Sequence, residues 1–147
     1  MSIAVRMAET VWDGNLVEGS GKISGTSGAL DGLPVTWAAR TEEPEGKTSP
    51  EELAAAAHSS CFSMALALTL SEHKATPKKL TVGSTVTLDA VDGTPTIVSA
   101  AITVVGDVPG IDEAAFLSIV HEAAALCPIS RLFAGTSITV NATFVSA

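Results

Sequence analysis

The sequence predicts a single α+β domain over residues 1–147. Three observations lead there. The chain has 147 residues, 46% hydrophobic and 16% charged, a size and composition that fit one globular domain able to bury roughly two-thirds of its extended surface. Two segments carry helix signals, one after Ser49 and one after Asp112. The stretches around them read as strands, and the order strands, helix, two strands, helix, strand is that of an α+β domain.

Residues 1–40 read as short strands broken by turns. Glycines recur from Gly14 to Gly32, and Asp13-Gly14 and Asp31-Gly32 are turn dipeptides. Residues 41–49, TEEPEGKTS, form a charged loop. Ser49 then serves as an N-cap, Pro50 suits the first helical position, and Glu52 follows three residues after Ser49 to complete a capping box. This helix runs to about Glu72 and ends before Pro77. Leu80, Val82, Val86 and Leu88 alternate over 80–90, which predicts a strand. Asp92-Gly93 and Pro95 turn the chain into a second strand at 96–105, so the two form a hairpin. Gly110 and Asp112 open a second helix over 113–126. Pro128 interrupts it just after Cys127, Ser130 to Phe133 add a short turn, and Gly135 stops the helical stretch. Ile138, Val140, Ala142 and Phe144 make the last strand.

The charge balance narrows the partners. The net charge is −8 and the eight Lys and Arg are scattered. Phosphate backbones are bound by clustered cations, so no nucleic acid and no anionic membrane surface is expected. The opening MSIAVRMAET lacks a basic start and a long apolar run, which predicts a cytoplasmic protein. In such a compartment a structural disulfide is not expected. From Leu53 to Leu70 no Asp, Glu, Lys or Arg occurs, the lower edge of what a membrane span requires. The segment is mostly Ala and holds His58, Ser59, Ser60, Ser63 and Thr69, so a central buried helix is the better reading. Two such helices packed together in a homodimer would cover it on every side.

The chemistry rests on few residues. Cys61 lies mid-helix in HSSCFSM and Cys127 in ALCPIS. The commonest fate of a free cysteine is that of a small core hydrophobe. Three features weigh against it. Cys127 sits where Pro128 breaks its helix, which leaves a thiol room to move. Each cysteine belongs to one of the two helices. Arg40 follows an apolar stretch, WAAR, at the end of a strand, and a guanidinium both stabilises a thiolate and donates a planar fork of hydrogen bonds.

Glu51 is free to face Arg40, because the capping box employs Glu52; its ordinary role is to compensate the helix dipole. Ten residues separate Glu51 from Cys61, roughly 15 Å along one helix, so Glu51 acts through Arg40 or across a dimer of antiparallel helices. His58, three residues before Cys61, shares its face; as a hydrogen-bonded core histidine it needs no role, and as a base it lacks an evident orienting group. His121 lies on a different face from Cys127. Arg131 competes with Arg40 as the activating cation. His58, Cys61 and Cys127 supply three metal-ligand types, but without CxxC or HxxxH spacing.

These residues resemble the OsmC/Ohr family of organic hydroperoxide reductases, and its OsmC branch in particular, over nearly the whole chain. The most specific stretches are SPEELAAAAHSSCFSMAL at 49–66 and CPISRL at 127–132; VPGID at 108–112 and the amino-terminal VWDGNLVEGSGKIS are also similar. The resemblance implies an intertwined α+β homodimer, with antiparallel sheets around two central buried helices and active sites at the interface. By position it makes Cys61 the peroxidatic thiol, Cys127 the resolving thiol, and Arg40 and Glu51 the activating pair, with Arg6 a second candidate for the arginine.

In the cycle this implies, Cys61 becomes a sulfenic acid, Cys127 condenses with it to a disulfide, and an external dithiol, of which the lipoyl type is one example, restores both thiols. No bound cofactor and no metal is needed. Phe62, Met64 and Leu132 are expected as apolar walls that favour organic hydroperoxides. Two other classes fit the same residues. One is a dimeric small-molecule binding module with structural cysteines; the other is a Cys–His hydrolase using His58.

Overall fold

The computed structural model describes residues 1–145 and divides into two units, one over Met1–Leu53 and one that begins at Ala54. In the amino-terminal unit, β1 (Ala8–Asp13), β2 (Ser20–Gly25) and β3 (Leu33–Val35) form an antiparallel sheet in that order. The β1–β2 turn needs Gly14, whose φ of 89° lies in the left-handed region. Asn15 then accepts hydrogen bonds from the backbone of Val17 and Glu18 at 3.0 and 2.8 Å, an Asx turn.

Past β3 the structure departs from the sequence reading. Arg40 does not end a strand. It lies in a five-residue helix, α1 (Trp37–Thr41). Thr36 caps α1, its Oγ1 accepting from the Ala39 N–H at 3.1 Å. A hydroxyl three residues ahead of a bare backbone N–H outweighs the strand character of the preceding residues.

The long helix α2 spans Pro50–Glu72, as its cap predicts. Only half of the expected capping box forms: Ser49 Oγ accepts from the Glu52 N–H at 3.2 Å. The Glu52 carboxylate accepts from Thr48 Oγ1 at 3.0 Å instead.

In the second unit, β4 (Lys79–Val91) and β5 (Thr94–Asp107) make a hairpin. Its two-residue turn, Asp92-Gly93, has φ of 50° and 79°, the left-handed pair that a right-twisted hairpin favours. α3 spans Glu113–Leu126, capped by Asp112 Oδ1, which accepts from Ala115 N–H at 2.8 Å. α4 (Pro128–Leu132) follows directly, and β6 (Ser137–Val145) completes a sheet ordered β4-β5-β6. The sheet is mixed, not antiparallel throughout: β6 runs parallel to β5. The connection through α3 and α4 carries the chain back to the end of the sheet where β5 began, and a parallel partner requires such a crossover.

α2 and α3 pack on one face of this sheet. Phe62, Leu66 and Leu70 of α2 meet Ile102 and Val104 of β5 and Phe116, Ile119, Val120 and Ala123 of α3. α2 is long and apolar enough to cross a membrane by length and composition. In this unit it is buried along one face and exposed along the other, where Met64 and Leu68 are 71% and 59% exposed. The expectation of burial on every side is therefore not met within one chain, which has too little sheet to cover both faces.

Candidate active site

Arg40 and Glu51 come together in the amino-terminal unit. α1 presents Arg40 and the first turn of α2 presents Glu51. Arg40 Nη2 donates to Glu51 Oε1 at 2.7 Å, and Nε donates to Oε1 and Oε2 at 3.0 and 3.2 Å. The Glu51 side chain is 12% exposed and that of Arg40 29%. This is the forked geometry that favours Arg over Lys. One guanidinium nitrogen, Nη1, makes no hydrogen bond within the described residues. The Trp37 ring centroid lies 6.0 Å from the guanidinium carbon, at the limit of cation–π contact. Arg6 is exposed and donates to its neighbour's carbonyl, Val5 O, at 2.8 Å.

The two thiols come together in the other unit. Cys61 projects from α2 and Cys127 sits at the junction of α3 and α4; both are unbonded thiols. Cys127 has a φ of −61° and ψ of 115°, the extended conformation imposed on a residue that precedes proline. It is fully buried, whereas Cys61 is half-buried. Burial pushes the Cys61 thiol up from its ordinary value of 9.0, a hydrogen bond to the Ile129 backbone draws it down, and the neighbouring Cys127 thiol raises it again. A thiolate at Cys61 therefore needs an added source of positive charge.

Cys61 opens on a cleft of about 540 Å³. Met64 and Leu68 line one side of it, and Leu126, Pro128 and Ile129 the other. Of the expected walls only Met64 is among them. Phe62 points into the core and is wholly buried, because on α2 it is rotated off the Cys61 face. Leu132 is 73% exposed and does not line the cleft. Arg131 and His121 line a separate cleft of about 570 Å³ with Ser130 and Ile138, which removes Arg131 from the thiol face.

His58 is fully buried. Its Nε2 lies 2.8 Å from Ser130 Oγ and its Nδ1 3.2 Å from Ser84 Oγ. Phe133 packs edge-on against the ring at 5.2 Å. Desolvation lowers the His58 pKa from 6.5, so the ring is neutral near pH 7. With both nitrogens engaged by serines, His58 has no lone pair to serve Cys61 as a base, which removes the ground for a Cys–His hydrolase. Sequence reasoning missed Ser84 and Ser130. They lie 26 and 72 residues from His58, and nothing local marks them. Among the described residues no three His, Cys, Asp or Glu side chains cluster to hold a metal ion.

Residues 43–143 match the family model described as OsmC-like protein. The chain is 41% identical over 121 residues to the peroxiredoxin OsmC of Escherichia coli K12, covering 82% of this chain and 84% of that protein. Its fold is similar to the crystal structure of an organic hydroperoxide resistance protein OsmC from Legionella pneumophila, with a TM-score of 0.76 at 22% identity over 98% of each chain. It is similar also to the organic hydroperoxide resistance protein OhrB of Bacillus subtilis, with a TM-score of 0.72 at 23% identity over 93% of this chain and 98% of that one.

Proposed function

The chain belongs to the family of OsmC-like proteins and is a thiol-dependent peroxidase, and from that premise we propose that it reduces organic hydroperoxides to alcohols through Cys61 and Cys127. The observation that carries this reading is a thiol, Cys61, that opens on an apolar cleft with the buried Cys127 thiol as its neighbour. The cleft matches the organic part of a hydroperoxide, and water or hydrogen peroxide gains little from it.

The cycle has three steps. The Cys61 thiolate attacks one oxygen of ROOH, the O–O bond breaks, and the leaving alkoxide takes up a proton to become the alcohol. Cys61 is left as a sulfenic acid. The Cys127 thiol then attacks the Cys61 sulfur, forms the disulfide and releases water. An external dithiol, of which a lipoyl group is one example, restores both thiols by exchange and leaves as its own disulfide. No resident cofactor takes part.

Arg40 supplies the positive charge that holds Cys61 ionised and steadies the leaving oxygen; Glu51 fixes the orientation of the fork. Since Glu51 and Cys61 are ten residues apart on one helix, the pair serves the thiol of a second copy in a cytoplasmic homodimer. The exposed apolar face of α2 supports that assembly.

The test is the intact mass of reduced protein after addition of cumene hydroperoxide. The expected result is a loss of two hydrogens per chain, abolished by Cys61→Ser and by Cys127→Ser, with Cys127→Ser instead gaining oxygen. An unchanged mass in excess peroxide would mean that the cysteines are structural.

A further inference from the structure

α4 is too short to hold its own position. It has five residues, begins at a proline and has no side-chain cap, and an isolated helix of that length is unstable in water. Yet it carries the parts of the site that must be placed best. Cys127 is its N-cap, and Ile129, its second residue, lines the same cleft as Cys61.

A buried side chain from elsewhere fastens it. His58, one turn before Cys61 on α2, reaches Ser130 Oγ at 2.8 Å and holds Phe133 at the far end of α4 edge-on. The other ring nitrogen meets Ser84 of β4 at 3.2 Å. A neutral imidazole has one N–H and one lone pair, so the two serine hydroxyls satisfy both, one accepting and one donating. Strand, long helix and short helix are thereby tied through one ring. A partner removed from such a buried network leaves the remaining polar atoms unpaired.

We propose that His58 is a positioning residue for disulfide closure: the Ser84–His58–Ser130 relay seats α4 so that Cys127 faces the Cys61 sulfur. The inference rests on the peroxidase reading and adds to it a residue that touches neither substrate nor the reacting sulfurs. Closure requires two sulfurs aligned at close range, and misplacement by an ångström costs such a step far more than one that uses Cys61 alone.

The experiment is single-turnover oxidation by cumene hydroperoxide, with dimedone trapping of the sulfenic acid and intact mass as readouts. Ser130→Ala should slow closure by about tenfold or more, with Cys61 accumulating as a trappable sulfenic acid. Sulfenic acid formation should change by less than about threefold, the effect of weakening one neutral hydrogen bond. Ser130→Thr keeps the hydroxyl and should restore closure. Ser84→Ala, on the other ring nitrogen, should shift closure in the same direction and guards against a misfolded first variant. Closure at the wild-type rate in both alanine variants overturns the proposal. So does an equal slowing of both steps that threonine fails to rescue. A wild-type protein that never joins Cys61 to Cys127 overturns the peroxidase reading and the positioning role with it.

Discussion

Arg40 keeps its charge at any ordinary pH, and Glu51 accepts from two nitrogens, Nε and Nη2, along one edge of its fork. A lysine would keep the charge and lose the planar pair of hydrogen bonds. Arg40→Lys should therefore lower kcat/KM for cumene hydroperoxide by roughly tenfold or more, in the range found when one preorganised donor is lost. Steady-state assay with a dithiol reductant checks it, and an unchanged kcat/KM would leave Arg40 as a surface ion pair. His58 makes a different prediction. Its folded pKa lies below the ordinary 6.5, so the unfolded chain takes up the proton more readily. The stability tied to the neutral ring is complete above 6.5 and is lost as pH falls from there through the folded value. Urea midpoints should fall between about pH 7 and pH 5, and the slope should flatten in His58→Gln. At this scale the two cysteines were legible as candidates, because thiols stand out in any sequence, and the meeting of Arg40 with Glu51 was expected from the free carboxylate beside the capping box. Ser84 and Ser130 were not, because a hydroxyl gains meaning only from the ring that folding brings to it.

Among the elements, the two long helices were legible to the residue at most ends, since their caps are local chemistry: Ser49 ahead of Pro50, and Asp112, whose carboxylate accepts a hydrogen bond from the Ala115 N–H. The short helix that carries Arg40 was not, because five residues give no periodicity to read. The parallel pairing of β5 with β6 was also hidden, since strand direction is set by the route of the connection and leaves no mark in the alternation. A tight approach of helix to sheet was hidden as well. A Cβ on Gly106 of β5 would strike the ring of Phe116 on α3. Phe116 is wholly buried and packs against Phe144 at 5.5 Å, so it has nowhere to turn. Gly106→Ala should destabilise the protein by about 1–3 kcal/mol, the cost of overpacking a filled core. A urea melt reads that directly, and an unshifted midpoint would mean that α3 lifts from β5 at little cost.

For the molecule as a whole, the unanswered demand of a single chain is cover for the outer face of α2. Met64, Leu68 and Leu126 stand 71%, 59% and 52% exposed around the Cys61 cleft. Isolated exposed apolar residues are ordinary, but a group of them around one cleft marks a surface that something covers. A two-fold dimer presents the same patch from both copies. If Arg40 and Glu51 of one copy serve Cys61 of the other, two inactive chains should repair each other. Arg40→Ala and Cys61→Ser variants, each inactive alone, are unfolded together and refolded as a mixture. About half of the dimers are then hybrids, and in each hybrid one site receives an intact Cys61 from one chain and an intact Arg40 from its partner. Peroxidase activity should return to about a quarter of the wild-type value, while each variant refolded alone stays inactive. If Arg40 instead acts on the thiol of its own chain, no hybrid holds a complete site and the mixture stays as inactive as its components. That outcome would keep the two-cysteine chemistry and require α1 to bring Arg40 to Cys61 within one copy.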